Sequence, residues 1–463
     1  ALVLVMECLL VLCEGARFIT IKKSSALQSE IAMDAVRASY HKVLWDEYHL
    51  MASEQAQIEE TLRKYGDART SFWEWRENLL EYKLEDVEVL SYTLLTDGDG
   101  EAFVMAVSDY MEDHVLYESA KAIYGWYESI KTIRNTYEPE VEKAEEVLEK
   151  LETSKDVKVS RASSSSKADG EADTDTEPIN PLEFIKDLEK MGVLQLVLEN
   201  PSEVSQKEVD LSQSVSNREL PQGKEMQMDE HKWWDRILLQ QYLISYLSCY
   251  GNEKDRHALS YELEYLLVGE DSDIENLKGV VEELLLIRQT VNMLYLFNDE
   301  VKGKEAEAIG IALSTALGIP EFYEAVGVAV LVAWAYGEAI LDVRGLLQGK
   351  WIPLLKSTET WTLQLSGMEE LMEGSISAKD SEAGLSYMDY LGILLLMKLD
   401  SDLSMRAMDV QEQTIRRICE NESFCMEHLS IRAEAVMKYR YRPIFGIFDR
   451  ITEPLDWNYE IER

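Results

Sequence analysis

The chain has 463 residues, 46% hydrophobic and 29% charged, enough apolar material for two or three cores. Its 46 Lys and Arg face 87 Asp and Glu, a formal net charge of -41, which repels phosphate backbones and argues against nucleic-acid binding by counterion release. Five cysteines with no C-x-x-C spacing give no readable zinc site. Buried or idle thiols are the plain reading, although Cys419 and Cys425 are spaced to close a small loop if the body lies outside the cell.

Ala1 to Cys13 is an apolar run without an initiator methionine. Thirteen residues at 1.5 Å rise span roughly 20 Å, short of the ~30 Å hydrocarbon core. The expectation is a truncated membrane anchor carrying Leu2, Leu4, Leu10 and Leu12. A secretory signal is the rival, but the helical pattern runs on through Gly15 and Ala16. Glu7 costs roughly 2.5 kcal/mol or more at mid-bilayer unless partnered, so it sits either beside a partner or at the interface. Ile31, Ala35, Ala38 and Val43 keep helical spacing, and residues 1–52 read as the anchor and a long first helix.

From Ser53, residues Ile58, Leu62, Tyr65, Phe72 and Leu79 sit near heptad spacing, and Tyr137, Val141, Ala144, Leu148 and Leu151 supply a partner. Residues 53–152 therefore read as an antiparallel, coiled-coil-like helical arm, with the Asp97-Gly-Asp-Gly100 turn in a compact helical tip. Residues 153–180, rich in Ser and acids, read as a disordered linker. Residues 181–463 read as the main helical body, with helices near 182–190, 233–250, 256–268, 274–298, 303–317, 321–347 and 386–419. Asp273 is the expected N-cap of the 274–298 helix. The longest apolar stretch after the leader, Ala325 to Gly337, stops at Glu338 and fits a buried helix. Strand patterns fall at Thr360–Leu365, His428–Tyr441 and Trp457–Ile461, predicting a small C-terminal antiparallel sheet. The fold class is α+β, predominantly α.

The chemical inventory is thin. No G-x-S-x-G, G-x-x-x-x-G-K or G-x-G-x-x-G motif occurs. Among six histidines only Asp46-x-x-His49 resembles a ligand pair, and the Glu-x-x-His turns of a di-iron bundle are missing. Asp97-Gly-Asp-Gly-Glu101 fails the calcium-loop spacing and reads as a polar turn. No catalytic, cofactor or metal residues are assigned. The aromatics Phe72, Trp73, Trp75, Trp126, Trp233 and Trp234 read as packing anchors or contact patches, with a ligand-stacking face as the alternative. An enzyme using Glu262, Glu264, Glu282 and Glu283 gains ground only if a pocket gathers two of these acids with a buried histidine.

Several stretches carry a resemblance. They are Cys13-Glu-Gly-Ala-Arg17, Met33-Asp-Ala-Val36 with Tyr40, Asn180-Pro-Leu-Glu183, Asn200-Pro-Ser-Glu-Val-Ser205, and Ser216-Asn-Arg-Glu-Leu220. Further on come Tyr261-Glu-Leu-Glu-Tyr265, Ser272-Asp-Ile-Glu-Asn276-Leu277, Ala333-Trp-Ala-Tyr336, Leu341-Asp-Val-Arg344 and Leu385-Ser-Tyr-Met-Asp-Tyr390. Together they resemble an uncharacterised family of Gram-positive envelope proteins that accompany tight-adherence (Tad) pilus genes and look like enlarged TadE and TadG pseudopilins. The resemblance implies a single-pass N-terminal membrane anchor, an extracytoplasmic body and a place, with protein partners, in pilus assembly or surface attachment; with no catalytic constellation in the sequence, the expectation is a non-enzymatic protein. The chain departs from pilins in having Val5 at the fifth position and its acid at Glu7. The alternative function is an extracytoplasmic binding or sensor module using the aromatic patches.

Overall fold

The computed structural model describes residues 2–67, 80, 82–114, 121–137, 139, 188, 191–224, 233–316, 318–372, 374–398, 401–443 and 449–459. Helix α1, Leu2–Arg37, opens the chain. Its buried residues Arg17, Ile21, Ser25, Ser29, Ala32, Met33 and Val36 recur every three or four positions, so one stripe faces the protein. That stripe lies against helix α3, Gln55–Gly66, and a four-stranded antiparallel sheet. The helix does not continue to Met51. It stops at Arg37, and His41 starts a new helix, α2 (Lys42–Tyr48), its Nδ1 accepting from the Leu44 N–H at 3.2 Å.

Strand β3, Leu429–Tyr441, is the centre of the sheet. Strand β2, Tyr82–Leu94, pairs along one side of it, and β1, Ser53–Glu54, followed by β4, Arg450–Asn458, along the other. The C-terminal sheet is thus present but recruits strands from residues 53–94. This corrects the helical reading of 53–152, since 82–94 is a strand. Two register shifts, at Leu84/Asp86 and Val89/Ser91, explain the misreading. Inward residues fall at 82, 84, 87, 89 and 92, and this 2-3-2-3 spacing masks a period of two. Helices α4, Glu101–Met111, and α5, over 121–137, follow. The second arm helix beyond Tyr137, the 153–180 linker and the 182–190 helix lie outside the described residues, Leu188 apart.

The helical body is a second, larger core. It holds α6 (Val193–Val197), α7 (Trp233–Tyr246), α8 (Glu262–Val268), α9 (Asp273–Asn298), α10 (Glu300–Ala316), α11 (Tyr323–Leu347), α12 (Tyr387–Met397) and α13 (Ser401–Cys419). The single helix expected over 386–419 is therefore two, the first closed by Lys398, whose N–H reaches the Leu394 and Leu395 carbonyls. Segment 360–365 keeps its alternation, with Trp361, Leu363 and Leu365 buried, but it is not a strand. Its Thr362 and Leu363 N–H groups donate to the Glu338 carboxylate at 3.1 and 2.7 Å in place of a neighbouring strand. The last strand is Arg450–Asn458, upstream of the expected 457–461.

Among the described residues, the one helix long and apolar enough to cross a membrane is Pro320–Leu347, and its most apolar window is 89% buried inside the protein. It is the body's core helix. Helix α10 packs on it so closely that a Cβ at Gly310 meets Gly327 N at 2.7 Å and Tyr323 O at 2.8 Å. Backbone atoms cannot swing aside. Gly310→Ala is expected to lower unfolding stability by about 1–3 kcal/mol in urea titration, and unchanged stability would show that α10 shifts freely.

Candidate functional site

The resemblance motifs converge inside the body as buried carboxylates that tie loops to helices. Asp273 is the first residue of α9, with Ser272 as N-cap, so it does not cap its own helix. Its carboxylate accepts from Ser260 N–H, Tyr261 N–H and the Ser205 hydroxyl at 3.0, 3.0 and 2.6 Å. Asp409 in α13 likewise holds Ser216 through N–H (2.9 Å) and hydroxyl (2.6 Å), and accepts from Tyr265 at 2.9 Å. Glu262 accepts from Ser248 N–H at 2.9 Å and lies 2.7 Å from His257 Nδ1, while Glu264 accepts from Tyr250 N–H and Tyr387 hydroxyl at 2.9 and 2.8 Å. Burial pushes Glu264 up to about 7, opposed by those hydrogen bonds. Burial also raises Asp273 and Asp409.

A second cluster joins α9 and α11. Arg288 donates to Asp342 at 2.7 and 3.0 Å, to the Pro353 and Leu354 carbonyls, and to Tyr390 at 2.8 Å. Lys356 Nζ lies 2.7 Å from Glu338 and 2.6 Å from Asp342, and all four charged side chains are sealed from solvent. Two cations balance two anions. Glu338 and Asp342 are four apart in the buried core helix α11, so they share one face. The lone charges Arg288, Glu338 and Asp342 inside apolar runs were the available sequence signal for this cluster, and Lys356 lacked one.

Glu412, Cys425 and Glu427 bring ligand atoms within 4.8 Å of one another, beside a cleft of about 480 Å³ lined by Cys425, Glu427 and His428. The two carboxylates already face guanidiniums. Arg218 bridges Glu412 and Glu427, and Arg416 pairs with Glu412 at 2.8 Å. That balance makes an ion-pair knot and leaves little negative charge for a cation. Cys249 is buried, and Cys419 and Cys425 are free thiols.

Of the expected contact aromatics, Trp126 and Trp234 are half-buried against the helical core. Trp233 begins α7, and Phe72, Trp73 and Trp75 lie outside the described residues. Glu262, Glu264 and His257 do gather, but the three cavities described in the protein are lined by other residues. Leu2, Leu4, Glu7, Leu10 and Leu12 lie on the protruding end of α1, exposed on every side.

These features define an α+β protein in which a helical body, cross-tied by buried carboxylates, is joined to a sheet and a long N-terminal helix. The chain belongs to a family of unknown function, DUF5702, whose model matches residues 171–441. The match includes β3 but neither β2 nor β4, so the sheet is completed by residues on both sides of it. No curated protein and no solved structure matches the chain.

Proposed function

We propose that the protein is a non-enzymatic, membrane-anchored component of the bacterial cell envelope, pseudopilin-like, serving a Tad-type pilus or surface-attachment system with its body outside the cytoplasm. The two unlike halves of α1 carry this reading. From Arg17 onward one stripe is buried, whereas Leu2 to Leu12 expose nine apolar side chains all round the helix, Leu2 at 78% and Leu12 at 69%. A core-facing helix has one apolar stripe; exposure on all sides fits lipid or a surrounding set of helices. Each such side chain gains about 1.5–3 kcal/mol on leaving water. Arg17 pins the helix where it leaves the body, donating to Glu14 at 3.2 Å and to the Arg442 carbonyl at 2.6 Å.

The test is fractionation of cells expressing the full chain, with protease added to intact protoplasts. The body is expected in the membrane fraction and open to protease, and Leu4→Asp with Leu10→Asp is expected to release most of it while leaving its thermal unfolding unchanged. A body protected from protease in intact protoplasts overturns the reading.

A further inference from the structure

A small cavity lies where the helical body meets the sheet. It measures about 50 Å³, is partly open to solvent, and is walled by His49 and Met51 before β1, Met105 and Tyr110 of α4, Arg432 of β3 and Asn458 of β4. Two features of its wall stand out. Arg432 Nε and His49 Nδ1 are both buried atoms without a hydrogen-bond partner. Among the described residues the Arg432 guanidinium has no acidic partner, in a chain with 87 acids for 46 basic residues. Half-buried Arg218, by contrast, is bridged by two carboxylates.

His49 is held in an uncommon state. Its backbone is left-handed, φ 55°, and its ring lies 4.8 Å from Tyr246, 5.2 Å from Trp45 and 5.6 Å from Tyr110. That backbone is the left-handed C-cap of α2, with the His49 N–H donating to the Trp45 carbonyl at 2.9 Å. The charged groups facing His49 are His114, Lys254 and Asp46, the first two positive when protonated. Asp109 also lines the cavity. Arg432 Nε is a buried donor left unpaired, and an occupant that accepts from it removes the desolvation cost; His49 Nδ1 adds a polar contact in the tautomer that carries its proton there.

We propose that this cavity is a binding site for a small carboxylate, seated on the Arg432 guanidinium with His49 as the second polar contact and Met51, Met105 and Ile431 against its carbon end. Size sets the class. About 10–15 Å³ of this measure holds one water, so the cavity takes on the order of four heavy atoms, the size of acetate. A guanidinium favours the planar, two-oxygen acceptor over a spherical ion. Because the site joins α4 to β3 and β4, its occupant ties the body to the sheet. The carboxylate comes either as a free metabolite anion or as the acidic side chain of a partner inserted through the open side.

The experiment uses the detergent-solubilised full chain and calorimetric titration at constant ionic strength with sodium acetate, sodium chloride as the control, and a blocked glutamate-containing tripeptide as the second arm. Saturable binding of acetate or of the tripeptide, absent with chloride and weakened at least tenfold in Arg432→Gln, supports the site, and the stronger arm identifies the source. Arg432→Lys keeps the charge without the fork and is expected to fall between the two. Circular dichroism melts of both variants separate lost binding from lost fold. No saturable binding in either arm, or binding unchanged in a folded Arg432→Gln, overturns the proposal. Membrane anchoring is not involved, so the result is independent of the function proposed above.

Discussion

Asp342→Ala is expected to lower the free energy of unfolding by about 3–5 kcal/mol, read as a shift of the urea midpoint by circular dichroism. Asp342 takes two guanidinium hydrogen bonds from Arg288, one from Asn292 Nδ2 at 3.1 Å, and the Lys356 ammonium at 2.6 Å. Removing it leaves two cations facing Glu338 alone, with no water to replace the lost charge. The Arg288 and Lys356 charges hold Asp342 below the usual carboxylate range despite its burial, which favours its ionised form. Intact, the cluster contributes little net stability, because desolvation of four charges offsets their attraction. Its cost appears on breaking it. The companion Arg288→Met with Asp342→Leu removes one charge of each sign and is expected to recover part of the loss. A midpoint for Asp342→Ala within experimental error of the unaltered chain would show that solvent reaches the cluster.

The legible parts of the fold are those where one period rules. Helix α11 was readable because its apolar run is long, and β3 because its six odd residues from Ile431 to Tyr441 are all inward. Strand β2 was not readable because two bulges reset its phase within thirteen residues. The α1–α2 break was hidden for a different reason: residues 38–41 keep a helical pattern, and only the His41 cap and the bond from the Ser39 hydroxyl to the Val36 carbonyl end it. The buried carboxylates were the least legible. Glu262 and Glu264 stand in a seven-residue helix and look like a solvated acidic face, because what pairs with them comes from outside the helix, from Ser248, Tyr250 and His257 in the preceding segment and from Tyr387 and Thr414 far along the chain. Local pattern carries no information about such partners. The stretches that carry the resemblance do contain several of the cross-tying groups, Ser205, Ser216, Asp273, Tyr387 and Asp342 among them.

The same cross-ties set how stability depends on pH, and Glu264 has the largest single share that can be assigned. Its carboxyl sits at about 7 in the fold against 4.5 in the unfolded chain. Desolvation is the main cause. Tyr250 N–H and the Tyr387 hydroxyl oppose it by donating to Oε1, which leaves the unpartnered Oε2 as the oxygen free to take a proton. Between these two values the folded chain keeps a proton that the unfolded chain has released. The stabilising contribution is therefore complete below pH 4.5 and is lost as pH rises toward 7, about 1.4 kcal/mol per unit and roughly 3 kcal/mol in all. Asp273 and Asp409, both raised by burial, slope the same way. Glu264→Gln keeps the shape and the acceptor for Tyr250 and Tyr387 but does not titrate. Its unfolding free energy is expected to decline less steeply from pH 4.5 to 7.5 than that of the unaltered chain, by roughly 3 kcal/mol over the range, so that the variant gains on it as the medium becomes more alkaline. Urea midpoints measured at half-unit intervals give the two curves. If they run parallel, Glu264 titrates alike folded and unfolded, and the pocket formed by Ser248 to Tyr250 and Tyr387 admits water to its carboxylate.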